Sequence, residues 1–425
     1  MLDSELPSPS FVIDLSRAIS NTERMRAKGV SLRPHVKTHK TLEGSKLQVG
    51  NDSDARIVVS TLKEAEFFSD TYGDILYGVL LEPSKYERAW NLHVKMPSFS
   101  VLLDSMESIE TFSNFIGTQI SKFSDQGSDD FLLAARRFNV FLAVDSTGYK
   151  REGIALGDSE IQIEHPVVSA ALAITKSRRL RFAGIYSHSG NSYNTCSDQA
   201  CSSSTAASTS TLSSHVDARA NALSVAERER DLMMALSSRL QTTFNIAVPV
   251  VSIGATPSST ALVAKMEKEK PSAGSMPQLE LHPGNYIFYD RQQVESGSCT
   301  LNDIACYVVA RVLARYPERN EFLIDAGGCA LHKDLAGLHD GTYGCLLEDS
   351  SLVITKLTQE VAVVGRIGGE KIDLTNFPPG KVVRVYPNHS CMTASCHDVF
   401  HVVDGESTSD MSRHVIDKWI PVKFW

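Results

Sequence analysis

Several protein classes are excluded by what this chain lacks. No stretch approaches the about 20 consecutive apolar residues that a membrane-spanning helix requires. Met1–Ser10 carries no basic region followed by an apolar run, so no secretory signal is expected there and the cytoplasm is the default location. Basic residues do not predominate: 42 Lys and Arg face 50 Asp and Glu, a net charge of −8, which argues against a nucleic-acid or anionic-membrane partner. The eight cysteines, at 196, 201, 299, 306, 329, 345, 391 and 396, form no Cys-x-x-Cys pair and read mostly as free, buried or structural thiols. No Gly-rich dinucleotide turn follows the first expected strand, which counts against a doubly wound nucleotide-binding sheet.

What is present is a regular alternation. Short β-rich runs are expected at Leu32–Lys37, Ala55–Ser60, Asp74–Val79, Phe99–Asp104, Asn139–Asp145, Phe182–Ser187, Val248–Ile253 and Leu279–His282. Helical patterns such as Leu62–Ser69, Ser84–Leu92, Ser105–Phe115 and Leu212–Leu240 lie between them. Eight such repeats in an α/β chain predict a (β/α)8 TIM barrel over 14–290. Lys37, Asp104, Asp145, His188, Thr256 and His282 then fall at or just past strand ends, the face on which barrel active sites are built. From 295 to 425 the pattern shifts to period two, which predicts an antiparallel β domain, with residues 1–13 as an added strand. Two inserts, Ser121–Asp130 and Ser192–His215, hold little apolar surface and are expected as surface loops. The second is either a lid or an insertion with no role.

The motif with the most chemistry is Arg33-Pro34-His35-Val36-Lys37-Thr38-His39-Lys40. A lysine at a strand end in a concave site is a candidate Schiff-base nucleophile, because burial and neighbouring cationic groups disfavour its ammonium form. His389 and Cys391, two apart near the end of an expected strand, offer imidazole and thiolate, a pair that suits Zn²⁺. Two protein ligands leave positions for water or substrate, the open arrangement of a catalytic metal. Cys396-His397 is a competing pair, disfavoured because adjacent strand side chains point to opposite faces.

Five separated motifs carry a resemblance. The Arg33–Lys40 run, Ile185-Tyr186-Ser187-His188-Ser189-Gly190-Asn191-Ser192-Tyr193, Gly254-Ala255-Thr256-Pro257, His282-Pro283-Gly284-Asn285-Tyr286 and Pro387-Asn388-His389-Ser390-Cys391 occur in order over nearly the whole chain. Together they resemble the eukaryotic D-serine dehydratases, relatives of the D-threonine aldolases within the alanine-racemase-like, fold-type III enzymes that use pyridoxal 5′-phosphate (PLP).

The resemblance implies roles for individual residues. Lys37 would bind PLP and then take the substrate α-proton. Thr256, Gly284 and Asn285 would contact the cofactor phosphate, and Tyr186 and Tyr193 the cofactor. Arg151, in Tyr149-Lys150-Arg151-Glu152-Gly153, would bond either the phenolic oxygen of the cofactor or the substrate carboxylate. His282 stands where racemases of this fold place an arginine near the pyridine nitrogen. Zn²⁺ on His389 and Cys391 would assist loss of the β-hydroxyl. The implied reaction is β-elimination of D-serine to pyruvate and ammonia by a homodimeric lyase acting on a small D-amino acid. D-threonine aldolase and D-3-hydroxyaspartate dehydratase chemistry are alternatives on the same fold. A PLP carrier without turnover is disfavoured, since such proteins lack the β domain.

Overall fold

The fold is described from a computed structural model. It describes residues 1–26, 30–50, 52, 55–123, 136–157, 161–193, 211–266, 277–338, 340–407 and 412–425. Most of both expected inserts, 124–130 and 194–210, therefore lies outside the described residues.

The strands, in chain order, begin with β1 (Ser10–Asp14). Nine follow in the first two thirds of the chain: β2 (Ser31–Leu32), β3 (Arg56–Val59), β4 (Asp74–Leu80), β5 (Ser98–Leu103), β6 (Phe138–Asp145), β7 (Ile154–Ala155), β8 (Leu180–Tyr186), β9 (Val250–Ile253) and β10 (Gln278–Leu281). The last third contributes β11 (Cys306–Tyr316), β12 (Glu321–Ile324), β13 (Gly344–Leu346), β14 (Leu352–Leu357), β15 (Ala362–Arg366), β16 (Val382–Pro387), β17 (Phe400–Ser407) and β18 (Arg413–Trp419).

Eight strands form one parallel sheet in the order β2-β10-β9-β8-β6-β5-β4-β3, with β7 paired to β6 off that path. A parallel bridge between His35 and Val58, and the Val58 N–H donating to the Pro34 carbonyl at 3.0 Å, bring the two ends together. Runs such as Ile57-Val58-Val59 are apolar at every position because parallel strands are covered on both faces. One side chain from each of five strands, Val58, Leu76, Leu102, Phe141 and Tyr186, forms a small buried cluster. At the other end of the strands, buried Arg33 donates to Glu280 at 2.9 Å and to Asp74 at 2.7 Å, and Arg56 reaches the second Glu280 oxygen at 3.1 Å.

The connecting helices start where their capping residues allow. Thr41 and Thr61 accept the backbone N–H groups of Gly44 and Glu64 before the helices Leu42–Val49 and Leu62–Phe68. Pro166 opens Pro166–Lys176, where its missing N–H costs no intrahelical bond. The expected helix Leu212–Leu240 is found as Thr211–Phe244.

The expected strand Leu32–Lys37 is a correction. The ladder holds only Ser31 and Leu32, because Pro34 has no N–H to donate. The chain then enters a short 3-10 turn, Val36–Thr38, whose first N–H groups are capped by the His35 imidazole accepting from Lys37 N at 3.3 Å. Lys37 thus stands on a capped turn above the barrel and not on the strand itself.

The second sheet has nine strands in the order β12-β15-β14-β13-β16-β11-β1-β17-β18. β1 is central in it, antiparallel to β11 and parallel to β17, so one parallel pair interrupts the otherwise antiparallel pattern. All five β1 residues are buried. Asp3, also buried, anchors the preceding segment: Arg384 donates to it at 2.9 and 3.1 Å, Tyr307 OH at 2.7 Å and the Arg413 N–H at 3.0 Å. Among the described residues, no helix is long and apolar enough to cross a membrane.

Candidate active site

A cavity of about 880 Å³ opens at the C-terminal ends of the barrel strands, with part of its wall supplied by the residues that follow the barrel. Lys37, Arg151, Tyr186, Tyr193, Thr256, Gly284, Asn285, His389 and Cys391 all line it, as do His188 and His282. Asp104 and Asp145 do not. They organise the loop that carries Arg151 instead. Asp145 accepts the N–H groups of Gly148, Tyr149 and Lys150 at 2.8–3.0 Å, and Asp104 accepts that of Gly153 at 3.3 Å.

The turn bearing Lys37 is wedged against the turn that follows β10. The His35 N–H donates to the Pro283 carbonyl at 2.9 Å. A Cβ on Gly284 would stand 2.7 Å from the His35 carbonyl oxygen, so only glycine permits this approach. Burial lowers the pKa of the Lys37 ammonium, with the charge of Cys391 opposing and that of Arg151 adding to the effect.

The turns after β9 and β10 are joined to each other. Gly254 has φ +114°, a backbone conformation suited to glycine, and Ser259 Oγ lies 2.5 Å from where its Cβ would be. The Asn285 N–H donates to Thr256 Oγ1 at 3.0 Å, which leaves the Thr256 hydroxyl proton for another acceptor. The Asn285 carboxamide turns toward the second sheet, donating to Asp290 at 2.7 Å and to Ser390 at 2.9 Å. Its buried Oδ1 has no partner.

Three histidines face the same space, His35 and His282 buried and His188 half-buried. His282 stacks on Tyr186 with ring centroids 4.3 Å apart. Its Nδ1 lies 3.0 Å from Ser252 Oγ, and its Nε2 is buried without a partner. His188 Nδ1 lies 3.1 Å from the Gly254 carbonyl, which fixes the proton on that nitrogen. Burial, reinforced by Lys37 and Arg151, pushes the His188 pKa down to about 3. His35 and His282 are also held well below the ordinary imidazole value, by burial first. Arg151 is more peripheral: its side chain is 47% exposed and ion-paired with Glu152.

His389 and Cys391 are not on a strand. β16 ends at Pro387, His389 stands at the N-cap position of the short helix Ser390–Ser395 without a side-chain capping bond, and Cys391 sits in its first turn. The strand-alternation argument therefore did not apply, yet the turn delivers both side chains to the cavity. Each perturbs the titration of the other. His389 Nδ1 is 2.7 Å from Asp334 Oδ2, and Thr38 Oγ1 is 3.2 Å from Cys391 Sγ. Burial opposes charge on His389, but Cys391 and Asp334 outweigh it and push the pKa up to about 10. The Cys391 thiol is lowered despite burial, through His389, Lys37 and Thr38. A thiolate beside an imidazole whose other nitrogen meets a carboxylate is a donor set that fits a zinc ion. Among the described residues no group of three or more His, Cys, Asp or Glu is placed to hold a metal ion, so the pair would need water or substrate to complete the coordination. Cys396 and His397 bond the carbonyls of Met392 and Ala330, and neither lines the cavity.

Asp334 and Gln292 carry no sequence signal that marks them, and Thr38, though inside the Arg33–Lys40 motif, is given no role by it. Asp334 reaches His389 from 55 positions away, and nothing in Leu331-His332-Lys333-Asp334-Leu335 distinguishes it.

The chain is similar to several known proteins. Residues 305–403 match the family model "Putative serine dehydratase domain". The chain is 31% identical to the D-serine dehydratase of Dictyostelium discoideum over 420 residues, covering 96% of this chain and 94% of that one. Among solved structures, an alanine racemase-like protein from Idiomarina loihiensis aligns with a TM-score of 0.74 at 26% identity, over 99% of this chain and 98% of that one. D-threo-3-hydroxyaspartate dehydratase from Delftia sp. HT23 aligns with a TM-score of 0.71 at 27% identity, over 99% of both chains. A cysteine-to-alanine mutant of that enzyme has been solved in a metal-free form. With this identity spanning almost the full length of both sequences, the chain belongs to the D-serine dehydratase family of lyases.

Proposed function

We propose that the chain catalyses PLP-dependent β-elimination of D-serine to pyruvate and ammonia, assisted by Zn²⁺ on His389 and Cys391. The observation that carries this reading is that one cavity unites a half-buried lysine, two glycine-containing turns and an imidazole–thiol pair. Family membership supports the substrate, and the metal-free form of the related Delftia enzyme supports a metal.

The chain's own residues divide the work. The Lys37 amine, its pKa lowered by desolvation, would hold the cofactor and afterwards take the α-proton. Thr256 would donate its free hydroxyl proton to the phosphate, beside the backbone of Gly284 and Asn285. Tyr186 and Tyr193 would bound the ring. His282, neutral and with Nε2 unpartnered, would meet the pyridine nitrogen without a fixed charge. Arg151, at the rim, is placed to exchange Glu152 for the substrate carboxylate. PLP, when bound, supplies an electron sink for the charge left at Cα. Zn²⁺, when bound, supplies Lewis acidity for departure of the β-hydroxyl. A homodimer is part of the same reading, through the family resemblance.

D-threo-3-hydroxyaspartate is the second substrate to weigh, given the Delftia relative. The Lys and Arg side chains that line the described cavity are Lys37 and Arg151, both already assigned roles, which leaves no further cation to receive a second carboxylate. The test is a panel of D-serine, L-serine, D-threonine and D-threo-3-hydroxyaspartate, followed by keto-acid release. D-serine should have the highest kcat/KM. A higher kcat/KM for hydroxyaspartate would transfer the assignment.

A further inference from the structure

Asp334 lies outside every motif that carries the proposed chemistry. One carboxylate oxygen is 2.7 Å from His389 Nδ1, and the other accepts the Ala336 N–H at 2.7 Å. The carboxylate is therefore oriented by its own loop before it meets the histidine. That loop is held twice more: Gln292 Nε2 donates to the Ala336 carbonyl at 2.8 Å, and Asn388 Nδ2 to the Asp334 carbonyl at 3.4 Å. Ala336 and Gly337 of the same loop line the cavity.

A carboxylate only accepts hydrogen bonds. With a cation on Nε2, the single proton of the ring sits on Nδ1, where Asp334 accepts it. We propose that Asp334 is the positioning residue of the metal centre, fixing the His389 ring with Nε2 toward Cys391 and strengthening it as a donor. This deepens, and rests on, the reading of His389 and Cys391 as zinc ligands. A carboxylate behind a ligating imidazole is worth about 10–100-fold in metal affinity. The loop also ties that ligand to the cavity wall formed by Ala336 and Gly337, so metal geometry and wall geometry are set together.

The experiment compares the full-length wild type with Asp334→Ala, Asp334→Asn, His389→Ala and Cys391→Ala. Zinc affinity is read by competition with a chromophoric chelator. The visible absorbance of bound PLP and the melting of metal-free protein serve as controls. Asp334→Ala should weaken zinc about 10–100-fold. Asp334→Asn, which keeps an acceptor oxygen, should weaken it less, with PLP absorbance and metal-free melting unchanged in both. If Asp334→Ala binds zinc as tightly as wild type while His389→Ala and Cys391→Ala lose it, the role of Asp334 is refuted and the metal site stands. If wild type binds no zinc beyond His389→Ala, the metal site itself is refuted, and the role of Asp334 falls with it.

Discussion

Thr38 Oγ1 lies 3.2 Å from Cys391 Sγ, joining the turn that bears Lys37 to the helix that bears the thiolate. The two residues are 353 positions apart. Through this contact the lysine that would move the α-proton and the group that would assist the leaving hydroxyl share one rigid junction. Thr38→Val keeps the shape and removes the hydroxyl. A hydrogen bond to a charged group contributes about 1.5–3 kcal/mol. D-serine turnover by the variant should therefore fall about tenfold or more, with PLP loading unchanged, as steady-state kinetics and absorbance would report.

Gly284→Ala tests the packing of the Lys37 turn. Its Cβ would meet the His35 carbonyl oxygen at 2.7 Å, backbone that cannot yield cheaply. Overpacking of this kind costs about 1–3 kcal/mol. The variant should melt at lower temperature and bind PLP more weakly. Wild-type PLP affinity would show that this approach does not position the site.

The pattern of apolar runs made the barrel legible, because strands covered on both faces are apolar at consecutive positions, as in Ile57-Val58-Val59. Lys37, His389 and Cys391 stood out because each sits in a compact run of chemically loaded residues. The turn under Lys37 was misread as strand: Pro34 was visible, but the imidazole cap from His35 is a tertiary outcome. His389 and Cys391 were expected on a strand, and the helix start at Ser390 depends on the Asp290 carboxylate accepting the Ser390 N–H at 2.8 Å from 100 positions away. β1 was expected as an added strand, and nothing local reveals that it lies between β11 and β17. β13, three residues long, is too short for alternation to register.

Buried neutral histidines should make the protein acid-labile. Burial pushes His188 down to about 3, and His39 and His93 to about 4, while His35 and His282 lie well below the ordinary value. Between pH 6.5 and about 5, the unfolded chain binds protons at these sites that the folded chain cannot, so stability falls as pH falls. Each site contributes about 1.4 kcal/mol per pH unit well below 6.5. Glu229, raised to about 8 by burial, opposes this by one proton, because it is protonated only in the folded state over that window. Unfolding midpoints should thus drop from pH 6.5 to 5. In His93→Phe, at the ring stacked 4.5 Å from Phe138, the slope should be shallower by one proton.

The ion pairs at the far end of the barrel should matter for stability and not for chemistry. Arg33 is 3% exposed and Glu280 fully buried. Removing Arg33 leaves the buried Glu280 carboxylate with Arg56 as its remaining partner, so the cost is below the about 3–5 kcal/mol of a fully broken buried pair. Arg33→Met should lower denaturant stability by less than that, with the kcat of the folded fraction unchanged. A large loss of kcat at full folding would show that this network reaches the site.

The central claim is that one cavity couples a PLP-bearing lysine to a catalytic zinc. It is tested most directly by pyruvate release from D-serine, measured before chelation, after EDTA, and after Zn²⁺ is restored. The predicted result is activity lost with the chelator and recovered with zinc, while the cofactor absorbance persists throughout. Pyruvate release indifferent to EDTA, or no pyruvate at any zinc content with glycine released from D-threonine instead, would contradict it.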